Sequence, residues 1–110
     1  DGNFQIARNG WIADYNDPCS FLDMWYTDGG NNDAQYSNPD YDAAIDAAKA
    51  TSDPEERMKA FHEAEDILIG QDSVLAPIYF YTQPYMLNPD IDGMYYTPLG
   101  YFFFGYTSKK

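Results

Sequence analysis

Residues 53–70 read DPEERMKAFHEAEDILIG, and this stretch decides the expected fold. Asp53 is a favourable helix cap, Pro54 suits the first helical position, and Glu56 stands at the reciprocal position of a capping box. Gly70 is of the residue type that often ends a helix. The pattern predicts a helix whose inner apolar stripe is formed by Met58, Phe61, Ala64 and Leu68.

A second helix is expected immediately before this one, over residues 39–50. Asn38 is a suitable cap and Pro39 can open the helix. Its apolar positions recur at helical spacing and are Tyr41, Ile45 and Ala48. Because only a few residues separate the two helices, they should form an antiparallel hairpin.

Three stretches outside the hairpin have the composition of β-strands. Residues 4–9 alternate with period two, and residues 76–82 are rich in aromatic and β-branched side chains. A third strand is expected near residues 101–106, after a turn at Asp92-Gly93. The predicted fold class is therefore α/β, with a helix hairpin flanked by strands.

The chain between the first strand and the hairpin is expected to hold a short helix and a long loop. Residues 20–26 suit a short helix with Ser20 as its N-cap. Gly, Asn and Asp dominate residues 27–38, which predicts a surface loop.

A strong negative charge limits the partners of this protein. The 110 residues include 18 carboxylates against 6 Lys and Arg residues, which gives a formal net charge of -12. Phosphate groups would be repelled, so nucleic acids and anionic membranes are excluded as partners. No stretch approaches the roughly 20 apolar residues that a membrane-spanning helix needs.

Two residue types that occur only once exclude several kinds of site. Cys19 is the only cysteine, so no internal disulfide can form, and we interpret it as a small buried hydrophobic residue. His62 is the only histidine and is expected on a solvated face of the predicted helix. A catalytic triad or a zinc site would therefore have no second histidine to use.

The segment GWIADYNDP, residues 10–18, is the main candidate site. It places the Asp14 carboxylate near the ring of Trp11, and a carboxylate partly desolvated by aromatic walls binds a cationic amine well. A structural alternative is that Asp14 begins a turn into residues 16–18. A third interpretation makes Asp14 and Asp17 a hydrolytic carboxylate pair.

Arg8 and two acidic loops are further candidates. The guanidinium of Arg8 can clamp a ligand carboxylate with two parallel hydrogen bonds, or it can pair with a nearby aspartate of the chain. The loops at residues 28–33 and 90–93 suggest calcium, but neither is followed by the bidentate glutamate that completes an EF-hand. We therefore expect no metal site.

Three long stretches keep the order and spacing of motifs from a known family. They are residues 7–25 (ARNGWIADYNDPCSFLDMW), residues 31–68 (NNDAQYSNPDYDAAIDAAKATSDPEERMKAFHEAEDIL) and residues 73–86 (SVLAPIYFYTQPYM). Together they resemble the C-terminal part of the extracytoplasmic solute-binding proteins of the peptide and nickel ABC importers, most closely the oligopeptide-binding branch. The resemblance runs from about Phe4 to the end of the chain.

That resemblance implies a particular fold. Members of the family are several times longer than this chain and fold as two α/β lobes that close on a ligand. Residues 1–110 would then be a C-terminal fragment of this two-lobed, type II periplasmic-binding-protein fold. The fragment would supply part of the ligand-binding lobe and the return crossing to the other lobe, and the remainder of the full-length chain would complete the cleft.

The resemblance also implies how a peptide is held. In peptide-binding members, the aspartate that matches Asp14 pairs with the α-amino group of the ligand. The extended peptide lies along the segment that contains Trp11 and Ile12, through main-chain hydrogen bonds that do not read side chains. Asp17 is then part of the turn that holds Asp14 in place.

Three further residues match binding positions of the family. Arg8 matches a position that can meet the carboxylate of a ligand in some members. Asn31 and Tyr81 match positions that line the binding pocket.

The implied function is peptide capture without catalysis. The protein would bind oligopeptides outside the cytoplasm, in the periplasm or as a cell-surface lipoprotein, and deliver them to the membrane permease subunits of an ABC importer. No catalytic residue and no cofactor is expected. The alternatives are an oligosaccharide-binding member of the same family, in which Trp and Tyr rings stack on sugars, a carboxylate-pair hydrolase and a small stand-alone scaffold.

Overall fold

The computed structural model describes residues 3–110, which fall into two compact units. The first unit ends at Pro77 and is helical, and the second runs from Ile78 to Lys110 and contains short strands. Residues 1 and 2, which open the predicted 1–110 segment, lie outside the described residues.

Helices form the first unit. Helix α1, Cys19–Leu22, continues into a short 3-10 helix, Asp23–Trp25. Helices α2, Pro39–Ala50, and α3, Pro54–Glu65, pack against each other and are joined by a three-residue connection, so the predicted hairpin is present. A π-helical segment, Asp66–Gln71, extends α3.

Helix α2 forms as its sequence predicts. The Asn38 side chain accepts a hydrogen bond from the Asp40 backbone N–H at 2.9 Å, which caps the helix, and Pro39 occupies the first position. The apolar stripe is fully buried and consists of Tyr41, Ile45 and Ala48. Both the cap and the inner face of α2 were therefore predicted correctly.

The cap of α3 has an extra member. Asp53 Oδ1 accepts from the backbone N–H groups of Glu55 and Glu56 at 2.9 and 3.0 Å, as predicted. The Asp53 N–H, however, donates to Thr51 Oγ1 at 3.1 Å, and the Thr51 hydroxyl donates to Glu56 Oε2 at 3.0 Å. The reciprocal half of the capping box is thus relayed through Thr51.

The inner face of α3 differs from the prediction at its first turn. Phe61, Ala64 and Leu68 are buried, but Met58 is 40% exposed. Arg57 takes its place because its guanidinium lies over the Phe61 ring, with Cζ 4.8 Å from the ring centroid. Gly70 does not end the helix either, since it lies inside the π-helical segment.

The start of α1 also differs from the prediction. The helix begins at Cys19, and Ser20 is a buried residue within it rather than its cap. Asp17 provides a hydrogen-bond acceptor for the first turn of the helix instead, because its Oδ1 accepts from the Cys19 N–H at 2.9 Å. A carboxylate two residues before a free N–H reaches it directly, which leaves the Ser20 hydroxyl available for another partner.

Two of the three predicted strands are absent. Neither residues 4–9 nor residues 76–82 form a strand. The second unit contains four two-residue strands: β1, Ile91–Asp92, β2, Tyr95–Tyr96, β3, Phe102–Phe103, and β4, Ser108–Lys109. Strand β1 pairs antiparallel with β4, and β2 pairs antiparallel with β3. A strand forms only where a neighbouring strand supplies its hydrogen bonds, and in residues 3–110 only these short segments pair.

Aromatic contacts and one tight bend organise the second unit. The Tyr95 and Phe103 rings stack at 4.8 Å, so the predicted aromatic strand is confirmed over two residues. The expected turn after Asp92 places Gly93 at φ +80°, and a Cβ there would lie 2.0 Å from the Tyr106 carbonyl oxygen. Only glycine fits this bend.

Among the described residues, no helix is long and apolar enough to span a membrane. The confirmed parts of the predicted α/β fold are the helix hairpin and two residues of the third predicted strand. The two-lobed architecture stays a prediction.

Replacing Tyr41 by Phe tests how α2 holds α1. The buried Tyr41 hydroxyl donates to the Leu22 carbonyl at 2.5 Å, so the change leaves a buried acceptor unsatisfied. We expect the free energy of unfolding to fall by about 1–3 kcal/mol in urea titrations followed by circular dichroism. Tyr26→Phe is the matched control, because the Tyr26 hydroxyl donates to Asp46 at an exposed position. Equal losses in the two variants would contradict the assignment.

Candidate functional site

The first unit contains a cavity of about 410 Å³ beside α1. Its walls come from the segment before α1, from α1 and the 3-10 helix, from the loop that follows, and from Lys49 of α2. Three of the predicted site residues line it together, namely Trp11, Asp14 and Asn31. The fold therefore gathers residues that are up to twenty positions apart in the sequence.

Asp14 is held through its backbone and leaves its carboxylate available. Its N–H donates to Ser20 Oγ at 2.8 Å, and Ser20 is only 6% exposed. Within residues 3–110 the Asp14 carboxylate makes no hydrogen bond or ion pair. A charge without an internal partner in a cavity wall is available to a ligand of opposite charge.

The cavity carries more negative than positive charge. Asp14, Asp23 and Asp28 line it together with a single cation, Lys49. Lys49 forms an ion pair with Asp23, and its Nζ lies 5.5 Å from the centroid of the Tyr26 ring. Two carboxylates are thereby left without a cation among the residues that line the cavity. The resulting potential favours a cationic ligand group.

Lys49 remains charged despite its position in the cavity wall. Burial lowers the pKa of Lys49, but the hydrogen bond and the charge of Asp23 outweigh this effect, and the pKa lies above its ordinary value. The Lys49–Asp23 pair is thus a fixed feature of the wall at neutral pH. Lys49 neutralises the charge of Asp23. Of the two lining carboxylates that have no cation, Asp14 is the nearer to Trp11 in the sequence.

A single amide shapes the loop that carries Asn31. The Asn32 side chain donates to the carbonyl oxygens of Tyr26 and Tyr36 at 3.1 and 2.7 Å, and its Oδ1 accepts from the Tyr36 N–H at 3.0 Å. The loop is tied to α2 by a bond from the Thr27 N–H to Asp42 Oδ1 at 3.0 Å. These bonds fix the far wall of the cavity. A loop rich in Gly, Asn and Asp signals such side-chain clamps, but not which residue forms them.

The other end of this loop is joined to the end of the π-helical segment. Asp72 Oδ2 accepts from the Tyr36 hydroxyl and from Asn38 Nδ2, both at 2.7 Å. The Tyr36 hydrogen bond, followed by that of Asn38, holds the pKa of Asp72 below its ordinary value. Burial, reinforced by Asp72, raises the pKa of Tyr36. The cavity loop therefore bridges two helical elements.

Asp17 makes a bidentate ion pair near the cavity. Arg57 Nη1 donates to Asp17 Oδ2 at 2.6 Å and Nη2 donates to Oδ1 at 2.8 Å, a two-pronged ion pair between α3 and the turn before α1. The hydrogen bond from Arg57 lowers the pKa of Asp17, desolvation opposes it, and the Cys19 N–H adds to the lowering. Asp17 is thus occupied structurally, which removes the partner that Asp14 would need in a hydrolytic carboxylate pair.

Three predicted site residues lie outside the wall of this cavity. Arg8 is exposed and Ile12 is 70% exposed, and neither contributes to the lining. Tyr81 belongs to the second unit, where the centroid of its ring lies 4.8 Å from that of the Tyr79 ring in an edge-to-face contact. Cys19 is buried, as its sequence context predicts, and forms part of the cavity wall.

Metal ligands are not grouped in the described part of the chain. Within residues 3–110, no three or more His, Cys, Asp or Glu side chains are placed together to hold a metal ion.

Comparison with known proteins relates this chain to peptide-binding proteins. It is 40% identical over 92 residues to the periplasmic oligopeptide-binding protein OppA of Haemophilus influenzae, which covers 84% of this chain. It is 35% identical over 98 residues to the dipeptide-binding protein DppE of Bacillus subtilis, which covers 89% of it. The chain is homologous to oligopeptide- and dipeptide-binding proteins. A third homologue is the periplasmic murein peptide-binding protein MppA of Escherichia coli, 34% identical over 84% of this chain.

The homology concerns one segment of these peptide-binding proteins. The aligned region spans only 17% or 18% of the length of each of the three relatives. No protein-family model matches the chain. The predicted resemblance to the oligopeptide-binding branch is confirmed, and it extends over most of the chain.

Asp17→Asn tests the ion pair through its pH dependence. Because the folded-state pKa of Asp17 is lowered, the stability that the pair contributes is fully present above the ordinary carboxyl pKa of about 3.9 and is lost as the pH falls through the lowered value. We expect Asp17→Asn to lower the Tm of the full natural protein by several degrees at pH 7. The difference should shrink steadily below about pH 4.

Glu63→Gln makes the same change of charge at an exposed position of α3 and serves as the control. Thermal unfolding followed by circular dichroism between neutral and acid pH provides the measurement. A Tm difference for Asp17→Asn that stayed constant over this range would show that the ionised pair contributes nothing.

Proposed function

We propose that this chain contributes to a non-catalytic protein that captures oligopeptides, and that Asp14 binds the α-amino group of the ligand. The observation that carries the proposal is the Asp14 carboxylate: Asp14 lines the cavity, and its carboxylate has no hydrogen bond or ion pair among residues 3–110. The homology to oligopeptide- and dipeptide-binding proteins supports the class of ligand.

The chemistry of the cavity suits the amino end of a peptide. An ammonium group donates up to three hydrogen bonds and pairs with a carboxylate that has no other partner. Asp14 is an exposed residue rather than the partly desolvated one expected from the sequence, so the ion pair itself is the source of affinity. The cavity volume of about 410 Å³ is at the small end of the range for ligand sites, so it suits the end of a peptide rather than a whole oligopeptide. The rest of the ligand would lie along other surfaces of the protein.

The remaining predicted residues have supporting roles in this proposal. Trp11 forms an apolar wall, since its ring packs against the core, and main-chain groups at Trp11 and Ile12 provide a rail for the peptide backbone. Asn31 also lines the cavity. Arg8 meets the carboxylate of ligands of suitable length, and Tyr81 is a further ligand-contacting residue.

The wider role follows the same family. Residues 1–110 correspond to a C-terminal segment that supplies part of one lobe and the crossing to the other. The whole protein, outside the cytoplasm, delivers its peptide to the permease subunits of an ABC importer, and no bond is made or broken. The names of two relatives, which are periplasmic peptide-binding proteins, support this location and role.

The decisive experiment compares a peptide with its N-acetylated form. Acetylation removes the positive charge, so calorimetric titration of the full natural protein should show the free peptide binding at least about tenfold more tightly, because the ion pair with the Asp14 carboxylate is lost. Asp14→Asn should lower the affinity for the free peptide about tenfold and leave the affinity for the acetylated peptide unchanged.

Asp33→Asn is the matched control, because Asp33 lies in the same loop region as Asn31 but does not line the cavity. It should retain the preference for the free peptide. Equal affinity of the unmodified protein for both peptides would remove Asp14 from its proposed role.

An oligosaccharide is the second candidate ligand, because the rings of Trp11 and Tyr26 line the cavity and can stack on sugar faces. With a neutral sugar as ligand, Asp14→Asn would change the affinity little. Titration with neutral oligosaccharides therefore separates the two functions.

A further inference from the structure

We infer that Arg57 is a positioning residue for the amine-binding carboxylate, although it does not line the cavity itself. The inference rests on the proposed role of Asp14. It concerns how the chain sets the position of that side chain, and it follows from a continuous set of hydrogen bonds.

The set begins on a rigid support. Arg57 lies in the first turn of α3, its backbone N–H donates to the Asp53 carbonyl at 3.0 Å, and its guanidinium covers the Phe61 ring. Phe61 is only 1% exposed and belongs to the core. The helix and the core therefore orient the guanidinium independently of its contact with Asp17.

The next contacts link the guanidinium to the start of α1. Nη1 and Nη2 of Arg57 both donate to the Asp17 carboxylate, whose Oδ1 also accepts from the Cys19 N–H. The Asp17 carbonyl oxygen accepts from the Ser20 N–H at 3.1 Å. Arg57 thus fixes the backbone at residues 17–20 through one side chain.

The last contact reaches the binding residue. Ser20 Oγ accepts from the Asp14 N–H at 2.8 Å, and Ser20 is buried, so its hydroxyl has a defined position. A shift of the turn that carries Asp17 would move Ser20 and, with it, the backbone of Asp14. Binding groups need placement within roughly half an ångström, so this shift should weaken the contact with the amine.

Two variants that change the net charge in opposite directions distinguish a positioning role from a field effect, that is, from the direct electrostatic influence of the Arg57 or Asp17 charge on the ligand ammonium group. Arg57→Gln removes a positive charge, and a field effect alone would then strengthen the binding of an ammonium group. Asp17→Asn removes a negative charge, and a field effect alone would weaken it. Positioning predicts that both variants lose preference for the free peptide, since both break the same two-pronged contact.

The experiment measures the ratio of Kd values for N-acetylated and free peptide in the full natural protein. We expect Arg57→Gln and Asp17→Asn each to lower this ratio about tenfold, and the double variant to lower it no further, as for residues coupled through one contact. A role confined to stability would lower Tm without changing the ratio at a temperature where the variants are folded.

Two milder variants keep the test decisive if Arg57→Gln does not fold. Arg57→Lys retains the charge but not the two parallel hydrogen bonds, and Ser20→Ala removes the acceptor for the Asp14 N–H without any change of charge. Both should lower the ratio while circular dichroism shows a folded protein.

The outcomes for the two proposals are distinct. If the unmodified protein binds both peptides equally, the role of Asp14 fails and the inference about Arg57 fails with it. If the unmodified protein discriminates and Asp14→Asn abolishes discrimination, the role of Asp14 stands. A wild-type ratio in folded Arg57 and Asp17 variants, or shifts in opposite directions, would then overturn the positioning role alone.

Discussion

Packing of α2 against α3 is the contact on which the first unit depends. Their buried faces supply three of the four largest fully buried side chains, Tyr41, Ile45 and Phe61, and the π-helical segment that extends α3 supplies the fourth, Leu68. Both ends of the cavity loop are attached to this pair of helices, through Asp42 at one end and, at the other, through Asp72 at the end of the segment that extends α3. The cavity therefore has no independent stability, because its walls are held by polar side chains that the helices place.

Local signals were sufficient to predict this hairpin. Asn38 and Asp53 cap their helices as their positions suggest, and the spacing of Tyr41, Ile45 and Ala48 gave the buried face of α2. Predictions that needed a distant partner failed. Residues 4–9 and 76–82 have strand composition, but strand formation depends on pairing with another segment, which a linear pattern does not contain. Met58 failed for a related reason, since the inner position was taken by Arg57, whose partner Asp17 is forty residues away.

The candidate site was only partly visible in the sequence. Family resemblance pointed to Asp14, Trp11 and Asn31, and all three line the same cavity. Composition alone did not decide whether Asp14 forms a turn or binds an amine. In the structure its backbone N–H donates a hydrogen bond to Ser20 Oγ, while its carboxylate stays available. Neither Lys49–Asp23 nor Arg57–Asp17 was predicted. In a chain with 18 carboxylates, each cation has many possible partners, and only the fold selects one.

The clamp formed by Asn32 separates the shape of the cavity wall from its chemistry. Three side-chain hydrogen bonds from Asn32 to Tyr26 and Tyr36 hold the loop. The neighbouring Gly30 has open space where a Cβ would lie, and the Asn31 side chain makes no hydrogen bond within residues 3–110. Substitutions at these two positions can therefore alter the groups that face a ligand without dismantling the loop. Divergence or directed evolution of ligand preference has a local route here, in which one amide is kept and its neighbours vary.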